Sequence, residues 1–355
     1  MSIRRFRIWI VLAALAAGTG CGRNNSPPGT PTRPEADGAR PILIGFSMGG
    51  IRMERWQKDE QIIVQRAQEL GARIISLSAN ENPDLQNDQA ENLLIQGVDV
   101  LLVVPHSAEK SAVIVERAHQ AGIPVVAYDR IIRNCPLDYY VSFNSETVGE
   151  YQARGVLDHL DLSRTNRLAY IGGSPVDNNS HLLKQGTLNV LGPGLADGSL
   201  VLALDTFTTD WSAQNAYLDM QRFLEGGGNV DGVIAANDAT ASGVIQALHE
   251  FGRTNLPVSG QDAERSACRR ILAGTQTLTV YKPLRRLGHA AVDVAIRAAR
   301  GQPVQTNVAV HNGYHDVPSI LLESIPVTRD NLAETVIRDG FHSHEAVFGT
   351  PPPPP

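Results

Sequence analysis

Cysteine is scarce in this chain, three in 355 residues, at positions 21, 135 and 268. There is no Cys-x-x-Cys pair and no His-Glu-x-x-His spacing, so a zinc or redox motif has no support. His311 and His315 flank Gly313 in a loop-like stretch and read as surface histidines. No run of Lys or Arg occurs and the formal net charge is -6, so the electrostatic footprint of a nucleic-acid binder is missing. Gly172-Gly173 and Gly226-Gly227-Gly228 do not form Gly-x-Gly-x-x-Gly after a first strand, which leaves a dinucleotide site unsupported. No phosphate-cradling loop and no Ser/His/Asp set stands out either, and no cofactor is implied.

What is present is an ordinary globular balance, 42% hydrophobic and 19% charged. The length exceeds what one core usually holds, so two domains are expected. Arg4, Arg5 and Arg7 precede an apolar run at residues 8–17, too short to span a bilayer and about right for a signal segment. Gly18-Thr19-Gly20-Cys21 follows, and small residues before a Cys match a lipoprotein cleavage box. Residues 1–21 are therefore expected to be a lipoprotein signal with Cys21 the acylated residue; an ordinary cleaved signal with an incidental Cys is the alternative. Residues 22–40, with Pro27, Pro28, Pro31 and Pro34, read as a tether that would let an anchored domain reach a membrane partner. Residues 346–355 read as a Pro-rich tail. The chain is thus expected outside the cytoplasm, and Cys135 and Cys268 are expected as separate thiols in different lobes.

From residue 41 strands and helices alternate. Short apolar runs at 42–46, 73–77, 98–104 and 123–128 read as buried parallel strands. Between them, Ile63, Ala67 and Leu70 share one helical face before the stop at Gly71, Pro83 opens a helix, and Ser107 caps one running to Gly122. The pattern restarts with strands at 167–171, 200–207, 230–236, 256–259 and 277–281. Helices follow at 212–224, 239–251 and 287–299. The fold class is α/β, two successive open parallel sheets; the break between Tyr140 and Arg167 argues against one closed barrel.

In such sheets ligands bind beyond the carboxyl ends of the strands. Near those ends stand Arg55 and Trp56, Asp129 and Arg130, Asp177 and Asn179, Asp210 and Trp211, Asn237 and Asp238, Gln261 and Asp262, and Lys282. Taken singly, each has a duller role: Asp238 as a helix cap, Arg130 paired with Asp129, Lys282 in a solvated turn, Trp56 in the core. Together they suit a sugar. Carboxylates accept hydroxyl protons, Arg, Lys and amide groups donate to hydroxyl oxygens, and flat aromatics cover the C–H faces of a pyranose. Outside the signal there are two tryptophans, Trp56 and Trp211, and both fall at strand ends.

Several strings are recognisable. Arg52-Met53-Glu54-Arg55-Trp56-Gln57-Lys58-Asp59, Ala127-Tyr128-Asp129-Arg130, Ser174-Pro175-Val176-Asp177-Asn178-Asn179, Asn237-Asp238-Ala239-Thr240, Gly260-Gln261-Asp262-Ala263 and Thr279-Val280-Tyr281-Lys282-Pro283 resemble the type I periplasmic binding proteins of ABC sugar transport, the D-xylose binders in particular. The resemblance runs from about residue 42 to 341. It implies two Rossmann-like lobes joined by three crossings, near Phe143-Asn144, Val280-Tyr281 and Asn312-Gly313. The N-terminal lobe would hold 41–143 plus 282–312, and the C-terminal lobe 144–281 plus 313–345. By the same resemblance Arg55, Arg130, Asp177, Asn179, Asn237, Asp262 and Lys282 would hydrogen-bond a monosaccharide, Trp56 and Trp211 would sandwich its ring, and an ABC permease would receive it from a monomer. The chain departs from the pattern at Met48-Gly49-Gly50, where an acidic pair is common, and at Asn144, where Asp is frequent.

Two rivals share these features. A sensor of the same fold would present its sugar to a membrane receptor or kinase. A sugar hydrolase would use a carboxylate pair such as Asp177 and Asp262, but their Arg and Lys neighbours are expected to keep both ionised, which suits a general acid poorly. A sugar-responsive repressor would need a DNA-binding headpiece that is absent here.

Overall fold

A computed structural model describes residues 40–349. The signal segment, Cys21, nearly all of the tether and the last residues of the tail lie outside the described residues.

The first half builds β1 (Leu43–Met48), α1 (Glu54–Glu69), β2 (Arg73–Ser78), α2 (Pro83–Ile95), β3 (Val100–Val104), α3 (Ala112–Gln120), β4 (Val125–Tyr128) and β5 (Tyr139–Phe143). β3 is Val-Leu-Leu-Val-Val and buried throughout, as a central parallel strand with helices on both faces must be. α2 starts as its sequence dictates: Asn82 accepts from the amides of Asp84 and Leu85, and Pro83 occupies the first turn. α1 stops at Gly71, whose φ of 70° is a left-handed position that favours glycine. The expected helix at 107–122 is shorter than expected. Ser107 turns the chain, its hydroxyl accepting from the Lys110 amide at 3.3 Å, and α3 begins only at Ala112.

The second half holds α4 (Ser145–Leu157), β6 (Asn166–Gly172), α5 (Asn178–Asp197), β7 (Leu200–Phe207), α6 (Ala213–Glu225), β8 (Gly232–Ala235), α7 (Asp238–Glu250), α8 (Arg265–Ala273) and β9 (Thr279–Tyr281). The chain then runs through α9 (Leu284–Ala299), β10 (Val308–His311), β11 (Asp316–Leu322), β12 (Ile325–Val327) and α10 (His344–Phe348). The sheets have the orders β10-β11-β5-β4-β3-β1-β2, β7-β6-β8 and β12-β9. β1 to β5 and β11 run parallel, as do β6 to β8; β10 is antiparallel to β11 and β12 to β9. One core lies under α1 and α9, where Ile63, Ala67, Leu287 and Ala291 meet Phe46 and Leu102. Another joins Met220, Leu224, Val244 and Leu248 to β6 and β8. Among the described residues no helix is long and apolar enough to cross a membrane.

Five further expectations change. The stretch taken as a break, 140–167, contains β5 and α4: β5 joins the first sheet, and α4, capped by Asn144 at the amides of Glu146 and Thr147, opens the second half. Asn312-Gly313 is not a crossing but the turn of the β10–β11 hairpin, with the Asn312 amide donating to His315 O at 3.1 Å. β11 pairs with β5 from Ser319 to Leu322, so residues 316–322 belong to the first sheet and the chain leaves it just before β12. Residues 256–259 make only one bridge, Val233 to Val258. Finally, residues 344–348, partly assigned to the tail, form α10, whose Val347 is buried against the α8 cluster.

Candidate functional site

The carboxyl ends of the strands in the two halves face each other, and there the chain lines a pocket whose space of about 250 Å³ is partly open to solvent. Its walls are Met53, Arg55, Trp56, Asp129, Arg130, Asp177, Asn179, Trp211, Asn237, Gln261, Asp262 and Lys282. All nine residues singled out from the sequence are among them. Met53, Asp129 and Gln261 were not among the nine. The last two stood at strand ends beside a more eye-catching neighbour, while a methionine carries no polar signal at all.

Local folding explains the placement. Arg55 and Trp56 open α1, and Asp129 and Arg130 leave β4. Asp177 caps α5 at the amide of Asn179, and Trp211 ends the turn after β7. Asn237 rather than Asp238 is the cap of α7, in a reciprocal capping box with Thr240. Asp238 lies buried behind it, accepting from Gln276 Nε2, Thr279 Oγ1 and the Glu264 amide. Burial, with help from Glu264, pushes its pKa well above the usual carboxylate range. Asp129, Asp210, Trp211 and Asp262 all have left-handed φ, between 55° and 88°. Such strain at non-glycine positions persists only where the surroundings over-determine it.

The polar groups interlock across the cavity. Arg55, 4% exposed, donates to Asp129 at 2.9 Å, to Asp262 at 3.1 Å and to Asp59 at 3.3 Å. Arg130 Nε meets Asp177 Oδ2 at 2.7 Å, and Trp211 Nε1 donates to the same oxygen at 3.2 Å. Asn179 Nδ2 donates to the Asp129 carbonyl at 3.0 Å, and Lys282 stands 3.8 Å from Asp262. The Arg55 and Arg130 guanidiniums lie 4.3 and 5.2 Å from the Trp56 ring centroid. A Cβ on Gly173 would come within 2.4 Å of the Trp211 ring, so that ring rests on bare backbone. Two buried acceptors, Asn179 Oδ1 and Gln261 Oε1, have no protein partner.

Burial and charge compete at each ionisable group. Desolvation alone would lower Arg55, but Asp129, Asp59 and Asp262 hold it well above its ordinary value. Burial would raise Asp129, yet Arg55, Lys282 and Arg130 together bring it below the usual range. Asp59, fully buried beneath Arg55 and receiving the Tyr128 hydroxyl, is pushed by burial up to about 6. Asp177 departs from expectation: burial outweighs Arg130 and raises its pKa. Its oxygens nonetheless accept from Arg130, Trp211 and the Asn179 amide, the surroundings of a held acceptor rather than of a proton donor aimed at a bond.

No group of His, Cys, Asp and Glu among the described residues has the arrangement of a metal site. His311 pairs with Asp316 and His315 with the Leu137 carbonyl, apart from each other. Cys135 and Cys268 are buried and unbridged, and burial pushes both thiols up to about 12. What the cavity offers is a buried set of fixed donors and acceptors with two indole rings, suited to holding a compact polyol.

Residues 44–303 match the periplasmic binding protein domain family. The chain is 40% identical over 312 residues to the D-xylose-binding periplasmic protein of Haemophilus influenzae, covering 87% of this chain and 93% of that protein. It is 42% identical over 306 residues to the protein of the same description from Escherichia coli, covering 86% and 92%. A multiple sugar-binding periplasmic receptor of Rhizobium radiobacter is 30% identical over 319 residues, covering 84% and 90%. Among solved structures, an ABC transporter solute-binding protein from Clostridium phytofermentans with bound β-D-glucose superposes with a TM-score of 0.81 at 26% identity, covering 86% of this chain and 99% of that one. A carbohydrate transporter solute-binding protein from Chloroflexus aurantiacus in complex with D-glucose gives 0.81 at 28%, covering 87% and 98%.

Proposed function

Because this chain belongs to the periplasmic binding protein family, we propose that it captures a monosaccharide, D-xylose first among them, outside the cytoplasm and delivers it to an ABC-type sugar importer. The observation that carries this reading is convergence. Arg55, Arg130, Asp177, Trp211, Asp262 and Lys282 are strung across more than two hundred residues of chain, yet they line one cavity between two sheets. Two relatives at 40% and 42% identity bear the description D-xylose-binding.

The chemistry follows from the pairs. A sugar hydroxyl donates to a carboxylate while its oxygen accepts from the neighbouring guanidinium, so the Arg55–Asp262 and Arg130–Asp177 couples each match one hydroxyl. Asn179 Oδ1 and Gln261 Oε1 supply further acceptors. Trp56 and Trp211 cover apolar ring faces. Arg55 and Arg130 come from one half and Asp262 and Asp177 from the other, so a sugar held by such couples draws the halves together by hinge closure. Nothing is made or broken in the sugar; the protein acts as a carrier and not as an enzyme. Micromolar binding needs about 8 kcal/mol, within reach of several charge-assisted bonds plus ring contact after the costs of ordering. We further propose that Cys21 is acylated and that residues 22–40 tether a monomeric domain near its permease.

A thermal-shift panel of D-xylose, D-ribose, L-arabinose and D-glucose tests the reading. A specific sugar at about a thousand times its Kd stabilises the fold by about 4 kcal/mol, and D-xylose is expected to give the largest rise in Tm. A flat response to all four refutes a sugar site. The receptor description of one relative keeps the sensing role in view; co-purification with a permease rather than a receptor decides between them.

A further inference from the structure

Outside the sugar cavity, three strand-end loops of the first half meet one turn of the second. Arg52 lies between β1 and α1, Glu81 between β2 and α2, and His106 after β3; Asp210 lies after β7, directly before Trp211. Arg52 Nε stands 3.5 Å from Glu81 Oε1, and His106 Nδ1 stands 3.3 Å from Glu81 Oε2. Across the cleft, Arg52 and His106 Nε2 each come within 3.9 Å of an Asp210 oxygen. Two glycines make room for this set: a Cβ on Gly50 would fall 1.9 Å from Glu81 Oε1, and one on Gly49 would fall 2.8 Å from His106. His106 is held from behind as well, its amide donating to Gln86 Oε1 at 2.8 Å. Burial would raise Glu81, but the His106 bond, Arg130 and Arg52 outweigh it and lower its pKa, so it stays an anion that orients both partners.

Asp210 and Trp211 are consecutive left-handed residues, with φ of 56° and 55°. Inside its own half this turn is secured by the Asn215 side chain and by backbone bonds at Thr208 and Ser212. The Arg52 guanidinium and the His106 ring that face Asp210 both come from the opposite half.

We propose that Arg52 and His106, oriented by Glu81, form an electrostatic latch on Asp210 that positions Trp211 over the cavity and sets how tightly the closed form holds its sugar. The inference rests on the sugar-site reading above. None of the four residues lines the cavity, so they act through Trp211 and through closure rather than by touching ligand.

The test uses the full chain and calorimetry with D-xylose at low and at molar salt. The pairs are partly exposed, with Arg52 66% and Asp210 34% accessible, so Asp210→Asn and Arg52→Glu should each weaken binding about three- to fivefold at low salt, an effect that molar salt erases. Arg52→Glu combined with Asp210→Asn should lose no more than Arg52→Glu alone, because both changes break the same pair. Asp210→Gly separates the latch from backbone relief. If the turn needs only a left-handed residue, that variant binds as well as the parent and the latch is refuted; the latch requires it to weaken as Asp210→Asn does. Additive, salt-independent losses refute it too. If the parent itself fails to bind D-xylose, the sugar reading fails, and small-angle scattering of the sugar-free chain still decides the latch: Asp210→Asn should expand the particle at low salt, and unchanged compactness overturns it.

Discussion

Replacing Arg55 with lysine keeps the charge and removes the geometry. The guanidinium donates from three nitrogens to three carboxylates, Asp59, Asp129 and Asp262. An ammonium is a point donor on a different stem and cannot span that fork. The bond that matters for binding is the one to Asp262, because it joins the two halves. Asp262 retains Lys282 at 3.8 Å, so it is not left without a counter-charge. The loss is therefore that of one buried charge-assisted bond, about 1.5–3 kcal/mol, or about ten- to hundredfold in Kd. Calorimetry with D-xylose measures it, and thermal unfolding without sugar checks the fold. Arg55→Met serves as the contrast: three carboxylates then lose their shared cation, and about 3–5 kcal/mol of stability should go with it. An Arg55→Lys protein that binds D-xylose within about threefold of the parent would mean that charge alone suffices there, and the couple-per-hydroxyl picture would fail.

Asp59 yields a pH prediction. Its folded pKa of about 6 lies above the ordinary 3.8, so the folded state holds the proton more tightly and stability from this group falls as pH rises from about 4 to 6, by ~3 kcal/mol in total. Asp59→Asn should therefore gain on the parent by about that amount between pH 4 and pH 7 in urea unfolding; a difference that stays constant with pH contradicts the assignment. Gly173→Ala places a methyl group 2.4 Å from the Trp211 ring, in a backbone conformation alanine accepts. It should push the indole off its seat and weaken D-xylose binding about tenfold or more, with no loss expected only if Trp211 is not a wall of the site.

Most of the site was legible because of where open parallel sheets put their loops. Strands read from apolar runs make the residues after them candidates by topology, and eleven of the twelve cavity residues stand among them, with Asp210 and Asp238 as extras; the family resemblance narrows the set to nine. What stayed hidden has three physical causes. A side chain with no polar signature, such as Met53, gives a strand-end search nothing to find, although its thioether receives the Asn237 amide at 3.6 Å. Edge elements carry little pattern: β10 is largely exposed and β12 has three residues, so the sequence shows no β10–β11 hairpin and the third crossing falls on its turn. The balance at each carboxylate depends on depth as well as on neighbours. Arg130 beside Asp177 was foreseeable, but burial strong enough to raise that carboxyl against it was not.

The couplings that would close the cleft are the least legible of all. Arg55 and Asp262 are 207 positions apart, and neither helical nor strand period relates them; only the folding of two separate sheets sets their distance. The same holds for Asp210 and its partners, whose neighbours in sequence look like an ordinary turn. Residues that line the cavity can be read from chemistry at strand ends. Those proposed to govern closure are visible only as pairs, and a pair exists only once both halves have folded. Selectivity among pentoses and hexoses is therefore expected to respond to changes at Trp56, Trp211 and their polar neighbours. Affinity common to all of them should respond to the Arg52–Asp210 pair, whose side chains line no part of the cavity. A substitution at Asp210 that altered the ranking of sugars, rather than weakening each alike, would break that division.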